Sequence, residues 1–188
     1  AERLLDILGL HFDSWKGEAS YADDLTKVVN MLEQKGLLSI SQGATIVDLD
    51  KFDMPPCLIR RSDGASIYAS RDIAAAIDRY NTYHFDQMLY LTAVEQKLHF
   101  AQFFKVLELA GMPFSSGLEH ISYGRFSLPT GKISSRRGKQ AVLVDLIDYV
   151  LDKANDVIKN RTFNIENPKD VALKVAKGVL SFNALNIE

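Results

Sequence analysis

The densest chemistry in this 188-residue chain is the run Gly131-Lys132-Ile133-Ser134-Ser135-Arg136-Arg137-Gly138-Lys139, where four positive charges fall within eight residues. Ser134 and Ser135 add two hydroxyls, and no acid interrupts the run. Such a set suits a polyphosphate, because cations neutralise charge on the outer oxygens while hydroxyls and amides orient them. Glycines at both ends let the backbone approach a ligand. A solvated basic loop fits the same composition, since short Lys/Arg-rich runs are weak motifs.

A second group follows the apolar run Met88–Val94. If that run is a strand of an open α/β sheet, Gln96 and His99 stand at its carboxyl end, where ligands gather. Gln96 offers both donor and acceptor, and His99 lies three residues on along one helical face. His99 also reads as a packed or solvent-facing histidine. His120 is either a satisfied core histidine or a nucleotide contact. Tyr68 and Asp72 flank a helix start. Asp72 has an ordinary role there, facing unpaired amides and the macrodipole. It also suits a guanidinium fork, with Tyr68 completing a cation pocket. His11 and His84 have no local partners, and four histidines without ligand spacing make no metal site.

The elements that must position these residues are legible as periodicities. Leu4, Leu5 and Leu8 share a helical face that stops at Gly9. Ser20, with Asp23 in the capping-box position, opens a helix striped by Leu25, Val28, Val29 and Leu32 and ended by Gly36. Leu37–Leu49 is β-like around Gln42-Gly43. Met54-Pro55-Pro56 interrupts both periodicities and marks a boundary. Cys57–Arg61 and Ser66–Ala69 flank Asp63-Gly64 as a hairpin would. Ser70 starts a helix carrying Ile73, Ala74, Ile77 and Tyr80. Met88–Val94 reads as a strand covered on both faces. Leu98–Ala110 is helical up to Gly111, Leu118–Tyr123 is a strand, and Thr130–Lys139 is a basic loop. Val142–Ile158 is a long amphipathic helix, and Asn167-Pro168 opens a last one. This alternation predicts a layered α/β fold with a mainly parallel sheet.

Composition bounds the rest. Hydrophobic residues make up 47% and charged residues 24%, which excludes a disordered chain. The net charge of −2 provides no general electrostatic grip on nucleic acid. The lone Cys57 excludes an internal disulfide and a Cys-rich zinc module, and it suits the reducing cytoplasm. No apolar run approaches the roughly 18 residues of a membrane span, and the start is not a signal peptide. The missing initiator Met suggests a piece of a longer protein.

Read together, the segments resemble the arginyl-tRNA synthetase family. The matching pieces are Gly17-Glu18 with Tyr21, Asp63 to Ala74, Gln96-Lys97-Leu98-His99-Phe100 with Gln102-Phe103-Phe104, His120 to Gly124, and the Lys132 run. They occur in order over nearly the whole chain. The resemblance implies a class I synthetase nucleotide-binding fold (Rossmann-like) and a two-step, ATP-dependent transfer of arginine to tRNA(Arg). By position it implies arginine contacts from Tyr68, Asp72 and Gln96, and ATP contacts from His99, His120, Gly124, Lys132, Ser134, Ser135 and Arg136. Lys132, Ser134 and Arg136 align with the KMSKS loop and carry the catalytic role, with Mg2+ accompanying ATP and no protein-bound metal. Ile133 replaces the Met of that motif and Ser135 its second Lys, so Arg136, Arg137 or Lys139 supplies the missing charge.

The family's other signature, His-x-Gly-His, does not occur in the sequence. Set against the family, residues 1–54 correspond to part of an insertion, 55–160 to the second half of the catalytic fold, and 161–188 to the opening of a helical anticodon-binding region. The expected activity is therefore that of a longer protein. The isolated piece is expected to be inactive, and apolar surface left uncovered would let it self-associate. The competing expectations are another nucleotidyltransferase of related fold and a non-catalytic module binding nucleic acid or protein.

Overall fold

The computed structural model describes residues 5, 9–64, 68–123, 127–128, 131–132, 142–160 and 165–185. They fall into two compact units, Ser14–Ser122 and Ala1–Asp13 with Tyr123–Glu188.

In the unit Ser14–Ser122, a 3-10 segment, Glu18–Asp24, leads into α1, Leu25–Gln34. The capping box expected at Ser20 is not made. The helix is preceded by Asp24, whose side chain caps nothing and instead meets Lys27 at 2.7 Å. Tyr21, buried at the core, and Glu18, 2.6 Å from Arg71, hold the segment in its tighter winding. The left-handed Gly36 ends α1 as its sequence requires. Strands β1, Leu38–Ser41, and β2, Ala44–Val47, pair antiparallel around Gln42 and Gly43. Both turn residues have positive φ, the geometry that matches strand twist in two-residue hairpins.

Strand β3, Cys57–Arg60, pairs antiparallel with β2, so hydrogen bonding crosses the Met54-Pro55-Pro56 interruption. Prolines break a strand locally, but Val47, Leu49, Cys57 and Ile59 on either side are buried in one core. The hairpin partner expected at Ser66–Ala69 is not a strand where it is described: Tyr68 and Ala69 already belong to α2, Tyr68–Tyr83. Ser70 does not start that helix either. Its hydroxyl donates to the Ile59 carbonyl oxygen of β3. Ala74, Ala75 and Ala76 give α2 a small-residue surface buried in the core.

Strand β4, Met88–Ala93, runs through a 3-10 turn, Val94–Gln96, into α3, Lys97–Leu109. The chain then passes the left-handed Gly111 to β5, Leu118–Tyr123, which is hydrogen-bonded beside β4. This strand–helix–strand order is the crossover connectivity of an α/β sheet. Tyr90 is buried against Phe100, Phe103 and Phe104 of α3. The expectation of a strand covered on both faces is not met. Leu89 and Leu91 point the other way and are 53% and 68% exposed, as period-two alternation dictates once one face alone is packed. At Gly117 a Cβ would collide with the Asp86 carbonyl oxygen, and nearby Gln87 donates to Glu119 at 2.9 Å.

In the other unit, β6, Ser127–Leu128, pairs antiparallel with β7, Gly131–Lys132. Lys132 therefore has strand backbone where a loop was expected, and the rest of the basic run lies outside the described residues. Helices α4, Val142–Lys159, and α5, Pro168–Leu185, pack together with Ile147, Ala154, Ala172 and Ala176 buried. Pro168 occupies the first helical position, and the Asn167 carbonyl accepts from the amides of Asp170 and Val171.

Candidate active site

Helix α2 presents Tyr68 and Asp72 four residues apart, and so on one face. Tyr68 is 70% exposed, which leaves its ring available to a ligand. Burial of Ser70 between them, with its hydroxyl on β3, sets the rotation of this first turn. The neighbouring Arg71 reaches Glu18 of the 3-10 segment at 2.6 Å. One helical turn and two anchors thus fix where the Asp72 carboxylate projects.

Helix α3 enters from the end of β4 and brings His99 to the same place. Its Nε2 lies 2.6 Å from Asp72 Oδ2. An ionised carboxylate only accepts, so the ring nitrogen donates. The two side chains are 27% and 33% exposed, partly shielded yet open on one side. Hydrogen bonds with an ionised partner are shorter and roughly twice as strong as neutral ones.

His120 joins the same corner through Phe100. The two rings stack at 4.4 Å with 11° between planes, and His120 Nε2 lies 2.8 Å from Thr92 Oγ1. Beneath them Tyr90 is enclosed, and burial pushes its phenol well above the ordinary range despite the opposing Arg79 guanidinium. Thr92 and Tyr90 were not singled out from the sequence. Their i, i+2 spacing on β4 was the available signal, since it places both on one face.

Of the expected arginine contacts, Tyr68 and Asp72 share a face, while Gln96 stands exposed at the head of α3. Of the expected ATP contacts, His99 and His120 flank Phe100. Lys132 is placed by its backbone in β7, and Gly124, Ser134, Ser135 and Arg136 lie outside the described residues. Among the described residues, no three His, Cys, Asp or Glu side chains converge on a common metal position. No helix among them is long and apolar enough to cross a membrane.

The architecture follows that of two solved synthetases. The arginyl-tRNA synthetase from Plasmodium falciparum matches 97% of this chain over 31% of its own, with a TM-score of 0.78 at 21% identity. That from Thermus thermophilus matches 96% over 37% of its own, with a TM-score of 0.73 at 17% identity. The fold is thus that of a class I synthetase catalytic domain, here a partial one. In sequence, the chain is 42% identical over 185 residues to an arginine–tRNA ligase of Alkaliphilus metalliredigens, and 43% identical over 183 residues to one of Clostridium perfringens. It covers 33% and 32% of those proteins, about a third of their length. Residues 2–187 match the family model described as tRNA synthetases class I (R), catalytic domain, and the chain belongs to that family.

Proposed function

We propose that the chain is the part of an arginine–tRNA ligase that recognises arginine and closes on ATP. The observation that carries this reading is the Asp72 carboxylate, partly shielded, steered by His99 and one helical turn from an exposed Tyr68 ring. A fixed carboxylate accepts the planar guanidinium fork in a way that an ammonium cannot match. The relatives named arginine–tRNA ligase, aligned along 97–98% of the chain, support the same reading.

In the reaction, an arginine carboxylate oxygen attacks the α-phosphate of ATP. A new P–O bond forms, and the bond to the pyrophosphate leaving group breaks. The arginyl group then passes from the adenylate to a hydroxyl of the terminal adenosine of tRNA(Arg), releasing AMP. Tyr68, Asp72 and Gln96 hold the side chain and orient the amino acid. His120 and Gly124 border the nucleotide, and Lys132, Ser134, Ser135 and Arg136 clamp the phosphates, with Mg2+ arriving on ATP. Lys132 contributes where negative charge redistributes on the phosphates in the transition state. The work belongs in the cytoplasm. Residues 1–54, 55–160 and 161–188 take the places of insertion, catalytic half-fold and helical region within the longer protein.

The test is arginine-dependent pyrophosphate exchange with tRNA(Arg), run on the full-length protein and on this chain alone. Exchange by the full-length protein alone is the expected result. No exchange with arginine by the full-length protein would remove the ligase reading, and equal exchange by both would remove the claim that the chain carries only part of the site.

A further inference from the structure

We propose that His99 is a positioning residue for Asp72, governing affinity for arginine and not for ATP. The inference rests on the arginine–tRNA ligase reading above. His99 and Asp72 belong to different helices and lie 27 residues apart, yet their side chains meet at 2.6 Å. Nε2 occupies one lone pair of Oδ2. This leaves Oδ1 and the remaining lone pair of Oδ2 for the two parallel N–H donors of a guanidinium.

The ring is itself oriented by the core. His99 sits 5.4 Å from the Phe100 ring and 5.5 Å from that of Phe103, and both phenylalanines are buried. Core packing therefore sets the imidazole, and the imidazole sets the carboxylate. An unheld aspartate on a helix surface would lose rotamer freedom when it clamps the substrate, and a carboxylate already held avoids that loss. With Nε2 committed to Asp72, only Nδ1 of this ring is left for any other partner.

The experiment compares His99→Leu, His99→Gln, His99→Asn, Asp72→Asn and the double variant His99→Leu/Asp72→Asn in the full-length enzyme. Arginine and ATP are varied separately in steady-state aminoacylation. Glutamine carries an amide N–H at about the reach of Nε2, whereas asparagine falls short. The expected result is an arginine KM raised about tenfold in His99→Leu and His99→Asn, with the ATP KM within about twofold of wild type and most of the loss recovered in His99→Gln. The double variant should show the arginine KM of Asp72→Asn alone, because the two residues act as one unit. A raised ATP KM with arginine unaffected would overturn the inference, as would additive effects in the double variant. If Asp72→Asn itself leaves the arginine KM unchanged, the arginine reading of the site fails first, and the role of His99 falls with it.

Discussion

Ser70 Oγ donates to the carbonyl oxygen of Ile59, joining the first turn of the helix that carries Tyr68 and Asp72 to strand β3. Ser70 is 1% exposed, so neither partner has water as a substitute. Replacing Ser70 with Ala would leave a buried acceptor unsatisfied, at about 1–3 kcal/mol. Urea unfolding of the Ser70→Ala chain should show a lower midpoint with an unchanged slope. An unaltered midpoint would show that the bond contributes nothing net.

Asp72 should dominate discrimination for arginine. In the full-length enzyme, Asp72→Ala removes a charge-assisted partner and should cost about 2–4 kcal/mol of transition-state binding. The Michaelis constant for arginine should rise steeply, while that for ATP changes much less. A correctly folded variant with a normal arginine constant would show that this carboxylate is structural.

Lys132 should act on the rate. Lys132→Ala in the full-length enzyme is expected to lose at least about tenfold in turnover, equivalent to about 1.4 kcal/mol. Weakened ATP affinity with normal turnover would instead make it a ground-state contact.

Cys57 offers a probe of the native core. Burial pushes its thiol from the ordinary 9.0 up to about 12, so at pH 8 the native chain holds almost no thiolate. Alkylation should be slow in the folded chain and rapid in urea. The linkage sign follows from the raised value. The unfolded thiol releases its proton near the ordinary value while the folded thiol keeps it, so stability is full below pH 9 and falls between there and about 12. Fast stoichiometric labelling of the folded chain at pH 8 would contradict the burial.

Much of this arrangement was legible in the residues, and the remainder has identifiable causes. The apolar stripes of α1 and α3, with Gly36 and Gly111 at their ends, mark helices whose register and termination are local properties. The Gln42-Gly43 turn is equally local. The pairing of β3 with β2 across the prolines is not, because ladder formation depends on which side chains share a core. Ser20 carries a good capping signal, overridden by the buried Tyr21 and the Glu18–Arg71 contact. Asp72 and His99 each stood out, but for different ligands. Their contact spans two helices, and no spacing rule within one helix reports it. The coverage of β4 is not legible in its residues, because an apolar run looks the same whether one face is packed or both.

Gly117 carries a consequence for mutational tolerance. The space it occupies is closed by the Asp86 backbone, which cannot swing aside as a side chain would. Its φ is not of the left-handed kind, so the demand is for volume and no D-like conformation is involved. In a saturation library, alanine should fail here almost as badly as larger residues, although position 117 is neither fully buried nor part of the Asp72–His99 contact. A failure of that kind would read as the loss of a catalytic group to anyone scoring activity alone. Its origin would be steric: the entry to β5 would be forced away from the approach to β4, and the shared register of the two strands would go with it.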